Sequence, residues 1–306
     1  MSMYRTSRTL PQDHSLPWTL ALAGGEGARL AAYVEQRFGE RRPKQYCRLL
    51  GTRTMLEHTL DRLLRIAPPS QTLTVIGTDH ARFALPQLAG RSDHVLRQPG
   101  SRDTGLALYV ALAYLRRWAP HAIVTVTPCD HFVRPAARYV DVIRTAQTVA
   151  TRMPDTIMLL GVSPDEPDAD FGYIAPGAAL LDVPGVRRVT GFVEKPSAET
   201  AAALVAQGAT WNTMVTVGSV DALWSLGRAA APQLLDEIDQ LLVPAIDTPY
   251  EDDVLEHLYG SSPPLSFSKD ILERSPERLA TMLLDGVDWS DWGRPERIEA
   301  TLAHLV

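Results

Sequence analysis

Trp18-Thr-Leu-Ala-Leu-Ala-Gly-Gly-Glu-Gly-Ala-Arg-Leu30 carries an uncharged apolar run straight into glycines. A short run of this kind, stopped by Gly24 and Gly25, reads as a buried strand that ends in a loop. Glycines there let backbone N–H groups approach an anion closely, and Arg29 adds a fixed charge. The loop is not a dinucleotide fingerprint, because Leu30 stands where the third glycine belongs. Nor is it a P-loop, because no Gly-Lys-Ser/Thr follows. By itself it is equally a plain tight turn.

The pattern continues outward. Met55, Leu56, Leu60, Leu63 and Leu64 fall at helical spacing, Thr72–Gly77 is a second strand, and Arg82–Leu88 opens another helix. Val95-Leu96 is a brief strand. Leu106, Val110, Ala113, Tyr114 and Trp118 mark a helix over 104–118, Ala122–Thr127 is a third clear strand, and a helix follows over 136–150. Strands alternating with helices of this length predict an α/β fold: a Rossmann-like, mixed, mostly parallel sheet flanked by helices. From residue 155 the chain turns β-rich. Ile157–Leu160, Tyr173-Ile174, Val186–Val189, Phe192-Val193, Met214–Val217 and Met282–Leu284 are short strand candidates, 221–259 is mainly helical and acidic, and 295–305 is a terminal helix.

Composition bounds the function. The 306 residues are 45% hydrophobic and 22% charged, which excludes a disordered, collagen-like or disulfide-framework protein. Cys47 and Cys129 lack C-x-x-C spacing and suit a reducing cytoplasm. Trp18–Ala23 is too short for a signal-peptide core or a membrane span, so no membrane role is expected. A net charge of −6 argues against a nucleic-acid partner but leaves room for a small anion held by local cations. Only Lys44, Lys195 and Lys269 are lysines among 30 cationic side chains. In an arginine-rich chain, a lysine hints at a compact point charge.

Further segments stand out: Arg41-Arg-Pro-Lys-Gln-Tyr46, Thr127-Pro-Cys-Asp-His131, Pro167-Asp-Ala-Asp-Phe-Gly-Tyr-Ile174, Phe192-Val-Glu-Lys-Pro196, Trp211-Asn-Thr213 and Trp289-Ser-Asp-Trp-Gly293. Taken with the glycine loop, in this order over residues 22–293, they resemble the sugar-1-phosphate nucleotidyltransferases. Pro-Lys-Gln, Phe-Val-Glu-Lys-Pro and Trp-Asn-Thr are most similar to the mannose-1-phosphate guanylyltransferases. The resemblance implies the nucleotide-diphospho-sugar transferase fold. The polar stretch 1–17, with Arg5, Arg8, Pro11 and Pro17, reads as a flexible tail, and 18–306, without a Gly/Ser linker, as one domain. The resemblance divides that domain into a nucleotide-binding half (18–150) and a half for the sugar phosphate and C-terminal helices (151–306).

The resemblance also implies roles. Backbone groups of Ala23, Gly24, Gly25 and Gly27, with Arg29, would cradle a triphosphate. Gln98 and Thr104 would meet the nucleotide base. Lys44 would sit on the α-phosphate or the departing pyrophosphate. Lys195 would hold the sugar phosphate, beside Gly172, while Glu194 and Asn212 bond sugar hydroxyls. Asp130 and Asp291 would anchor Mg²⁺ bridging the phosphates. The implied partners are an NTP, GTP by family, and a sugar 1-phosphate, with homo-oligomer formation left open.

Several positions depart from the family pattern. In Gln98-Pro-Gly-Ser-Arg-Asp-Thr-Gly105, Gln98 stands for a glutamate, Asp103 for an asparagine and Gly105 for an alanine. Met214 follows Trp-Asn-Thr where a glycine is usual, which would narrow the sugar pocket. The stretch between Arg29 and Pro43 is expected to form a flap over the triphosphate. Many guanylyltransferases continue into a β-barrel isomerase or a left-handed β-helix. The chain stops at Val306, so neither activity is expected. Asp168-Ala-Asp170 spells a glycosyltransferase Asp-x-Asp but falls in the loop before Gly172. His131 reads as an orienting or packing residue and Cys129 as a small side chain. The same chemistry with another base or sugar is the near alternative, and a non-catalytic nucleotide-sugar-binding regulatory subunit is the rival from a different class.

Overall fold

The computed structural model describes residues 17–180 and 183–305. The expected tail, apart from Pro17, lies outside the described residues. β1 (Trp18–Ala23), β2 (Thr72–Gly77), β3 (His94–Gln98) and β4 (Ile123–Pro128) lie side by side in the order β3-β2-β1-β4, all parallel. Their register places Ala23 beside Ile76 and Gly77 beside Gln98, while Leu22 faces Pro128. Gly24, Gln98 and Asp130 therefore meet at the carboxyl ends of these strands, the crevice where open α/β sheets bind ligands.

The short β5 (Phe132–Arg134) leaves this sheet, and the second half extends it. β6 (Ile157–Val162), β7 (Gly172–Ala179), β8 (Arg187–Glu194), β9 (Thr210–Ser219) and β10 (Leu279–Leu283) continue from β4 as β9-β6-β10-β8-β7, with β7 also pairing β9. Among these, β10 with β6 is parallel. The pairings of β9 with β4, β6 and β7, and of β8 with β7 and β10, are antiparallel. The sheet is mixed, with its parallel part concentrated in the first half. β11 (Asp288–Ser290) returns to pair antiparallel with β5.

Helices cover both faces. The helix Asp103–Trp118 buries Leu106, Leu108, Tyr109, Leu112 and Leu115 completely, because it lies between the sheet and the later helices. A helix apolar nearly all round belongs in such a place. The helix Ala136–Arg152 is amphipathic and packs Tyr139, Ile143 and Ala146 on the opposite face, with outward positions such as Arg144 left to solvent. Truncating one of these leucines to alanine would cost about 2–5 kcal/mol.

Three expectations change. The Val186–Val189 and Phe192-Val193 candidates merge into one strand, β8, which starts at Arg187: Thr190-Gly191 interrupts the apolar pattern, and the pairing with β7 runs on past a register shift at Thr190. Trp211-Asn-Thr213 is not a turn but lies inside β9, whose register against β6 is broken by a bulge between Leu159 and Gly161. The 30–42 stretch is no flap: its helix, Ala31–Phe38, buries Val34. With Leu30, that residue joins Cys47, Leu49, Phe132, Trp292 and Ile298 in a core behind the loops. Apolar contacts on its inner side hold it down.

Candidate active site

The carboxyl ends of the parallel strands and the mouth of the antiparallel half enclose one cavity of about 860 Å³. Its walls include Gly24, Gly25, Arg29, Gln98 and Thr104 at one end and Gly172, Glu194, Lys195 and Asn212 at the other, with Asp130 and Asp291 contributing. Sheet order explains the arrangement, since β4, carrying Asp130, lies between β1 and β9.

At the first end, main chain dominates. Gln98 is buried and its Nε2 donates to the Gly24 carbonyl at 3.0 Å, which leaves Oε1 as its acceptor. Gln45 donates from Nε2 to the carbonyls of Ala23 (2.9 Å) and Gly25 (2.7 Å), and the Tyr46 hydroxyl donates to Ala23 at 2.8 Å. Ala23 is thus buried behind the loop rather than facing a ligand. Gly27 is also set back, at φ 65, and a Cβ on it would press on Pro43 at 3.2 Å. That close approach is how the glycine loop and the Pro-Lys-Gln loop lie against each other. Gln45, quoted in the motif but given no role, is what holds the loop in shape.

Lys44 departs most from expectation. It is buried, and its Nζ meets Asp130 Oδ2 at 3.2 Å, the Trp292 carbonyl at 3.1 Å and the Asp291 carbonyl. An ammonium has three donors, and these oxygens occupy all of them. The correction is physical: a buried cation takes the fixed oxygens around it instead of reaching into the cavity. Lys44 ties Asp130 to the Asp291 turn.

Burial pushes the Asp130 carboxyl up, but the charges of Lys44 and His131 outweigh it and hold it below the usual range. His131, set edge-on to Trp289 at 5.2 Å, has its own pKa lowered by burial. Asp291 Oδ1 accepts from the Gly293 N–H (3.0 Å) and from Arg297 Nη1 (2.8 Å). Arg297 also pairs with Asp168 and lies 4.3 Å over the Phe171 ring, while Arg294 pairs with Asp170. Asp168 and Asp170 are therefore engaged by arginines rather than offered as an Asp-x-Asp metal site. Nothing in the sequence pattern pointed to Arg297.

Among the described residues, no cluster of three or more His, Cys, Asp or Glu side chains could hold a metal by itself. Asp130 and Asp291 nevertheless suit a hard divalent cation that takes its remaining oxygens from a phosphate ligand. The Asp130 carboxylate is partly open to the cavity, and Asp291 Oδ2 accepts no hydrogen bond among the described residues.

At the second end, side chains dominate. Gly172 faces Glu194 across β7 and β8, and a Cβ on Gly172 would lie 2.5 Å from Glu194 Oε2 and 3.0 Å from the Phe192 ring. Glycine here makes room for the carboxylate. Burial raises the Glu194 pKa, opposed by Lys195 and the neighbouring Ser268 hydroxyl. Lys195 Nζ stands 3.9 Å from Glu194 and is half exposed. Asn212 accepts at Oδ1 from the Met214 N–H (3.1 Å). Ser266, Phe267 and Ser268, from the π-wound segment Phe267–Ile271 and its cap, complete this wall without any sequence signal. Asp103, Lys195, Met214 and Trp292 all adopt positive φ, between 46° and 64°, at or beside the cavity. Each costs about 1–2 kcal/mol in a residue with a Cβ, and strain of this kind concentrates at functional sites.

A family model described as nucleotidyl transferase matches residues 19–304. The chain belongs to the nucleotidyl transferase family. Among curated relatives, it is 30% identical over 281 residues to a mannose-1-phosphate guanylyltransferase of Klebsiella pneumoniae, covering 89% of this chain and 57% of that protein. The nucleotidyl transferase chain thus spans little more than half the length of that relative. A Thermus thermophilus structure named mannose-1-phosphate geranyltransferase superposes with a TM-score of 0.77 at 28% identity, covering 90% of this chain and 76% of that one. A Helicobacter pylori structure named mannose-6-phosphate isomerase, at 21% identity and a TM-score of 0.72, covers 90% of this chain and all of that one, and shares the fold. Among the described residues, no helix is long and apolar enough to cross a membrane.

Proposed function

We propose that this nucleotidyl transferase moves a nucleotidyl group from an NTP to a sugar 1-phosphate, with GTP and mannose 1-phosphate as the leading pair. One observation carries the reading: a single cavity holds a glycine loop with Arg29 at one end, Glu194, Lys195 and Asn212 at the other, and Asp130 and Asp291 with them. A phosphate oxygen of the sugar 1-phosphate attacks the α-phosphorus, the bond from that phosphorus to the bridging oxygen breaks, and pyrophosphate leaves. No protein nucleophile is needed. The chain's task is to align two polyanions and offset their charge.

In this reading Arg29 and the N–H groups of Gly24 and Gly25 bind the triphosphate. Lys195 holds the incoming phosphate, while Glu194 and Asn212 orient the sugar. Lys44 is a positioning residue, keeping Asp130 and the Asp291 turn at a fixed separation. Mg²⁺ held by Asp130 and Asp291 would neutralise charge on the phosphates. Gln98 Oε1, the acceptor left after Nε2 is committed to Gly24, suits a base that presents an N–H, such as guanine. Every other base presents an N–H as well, adenine and cytosine through their amino groups, so the four NTPs are to be compared directly.

The test is pyrophosphate release with Mg²⁺ across four NTPs and a panel of sugar 1-phosphates. Release that needs both substrates and peaks for one pair is expected. No release with any pair, together with tight NDP-sugar binding, would overturn the reading in favour of a regulatory subunit.

A further inference from the structure

We propose that Met214 sets the size limit of the sugar subsite: it admits 1-phosphates of unsubstituted hexoses and excludes those bearing a group much larger than hydroxyl, such as an acylamino group. The inference rests on the nucleotidyl-transfer reading above. Met214 stands at φ 61, a left-handed conformation open to glycine without strain, yet this chain places a long side chain there. The bulge explains how. Leu159 faces Thr216 and Gly161 faces Asn212, so residues 213–215 stand opposite Leu160 alone. The Thr213 hydroxyl anchors the distortion by donating to the Leu160 carbonyl at 2.6 Å. Bulges beside sites re-aim side chains, and here Asn212 and Met214 both line the cavity.

The thioether is not a loose filler. Its Sδ accepts from the Ser268 hydroxyl at 3.1 Å and from Asn212 Nδ2 at 3.4 Å. Methionine ordinarily adapts to its surroundings, but this one is tied to β9 on one side and to the π-wound segment on the other. The Ser268 hydroxyl also neighbours Glu194. An apolar wall is therefore fixed among the polar groups that would grip a sugar, and moving it to admit a larger substituent breaks both sulfur contacts. Met214 also holds the Asn212 amide from both ends, through its own N–H and its sulfur.

The test measures kcat/KM for mannose 1-phosphate, glucose 1-phosphate and N-acetylglucosamine 1-phosphate with the wild type's preferred NTP. Wild type is expected to prefer the better hexose. Met214→Gly and Met214→Ala should each shift the ratio toward N-acetylglucosamine 1-phosphate by about tenfold or more. Met214→Leu, which keeps the bulk, should leave the exclusion in place. Melting temperatures show that each variant is folded, and Met214→Gly, free of backbone strain, serves where Met214→Ala is unstable. An unchanged ratio in folded, active variants would overturn the inference, as would a wild type indifferent to the acetamido group. A purely structural role would lower turnover on all three sugars alike. No release by wild type with any sugar would instead overturn the nucleotidyl-transfer reading, and this inference with it.

Discussion

At the nucleotide end of the cavity, parallel strands present their carboxyl ends, and what lines the wall is largely backbone held by buried amides such as Gln45 and Gln98. At the sugar end, antiparallel strands pass alongside the cavity and present side chains: Glu194 from β8, Asn212 and Met214 from β9. A backbone wall reads charge and shape common to every triphosphate, whereas a side-chain wall can be rewritten one residue at a time. On the proposed reading, the difference puts selectivity for the sugar in the side-chain wall. The electrostatics differ in the same sense. Asp130 is held below the usual carboxylate range by neighbouring cations, while burial lifts Glu194 above it.

The sharpest way to break this comparison is Asp130→Asn. It removes a charge shared by both ends, so turnover should fall by about 10²–10³-fold or more, with circular dichroism unchanged. Near-wild-type pyrophosphate release would end the metal assignment. Next comes Gly172→Ala, which pushes a methyl group into Glu194 and Phe192. A stability loss of about 1–3 kcal/mol is expected, with KM rising for the sugar 1-phosphate and not for the NTP. Equal effects on both substrates would show that the two ends are not separable.

Glu194→Gln tests the raised carboxyl. Because its folded pKa lies above the unfolded value, ionisation opposes folding once the pH rises through the ordinary carboxylate range. The variant should match wild type in acid, be somewhat more stable than it at neutral pH, and bind the sugar 1-phosphate more weakly. A variant less stable at neutral pH would sink this account. The smallest effect concerns Asp168, whose carboxyl is pushed up by burial but held below its usual range by the Asp170 N–H, Arg297 and Arg294. Its contribution is present above the unfolded pKa and lost as pH falls through the lowered folded one. Urea denaturation of Asp168→Asn should therefore show a shallower loss of stability in acid than wild type.

Much of the fold was legible because its strands are short apolar runs between glycines and polar turns. Trp18–Ala23 and Thr72–Gly77 read off the sequence are the strands β1 and β2. β8 was not legible as one strand, since Thr190-Gly191 interrupts its pattern and only pairing with β7 carries it through. Gly24, Gly25, Asp130, Glu194, Lys195, Asn212 and Asp291 line one cavity. Lys44 misled because a cation in a polar loop suggests access to a ligand, and only tertiary contact reveals three protein oxygens around it. Arg297 and Ser268 were silent, because a salt bridge or a sulfur contact between distant segments leaves no local pattern.

The burial of Lys44 has a consequence for the order of folding. Its carbonyl partners, Asp291 and Trp292, lie 247 and 248 residues downstream. Until that turn docks through β11 and the stacking of Trp292 on Phe132, the ammonium has lost two of its three acceptors. Closing so long a loop is slow relative to local helix formation. A nascent chain would hold a formed parallel sheet while Asp130 and Asp291 were still apart, so the two carboxylates should come together only after residue 292 has emerged and docked.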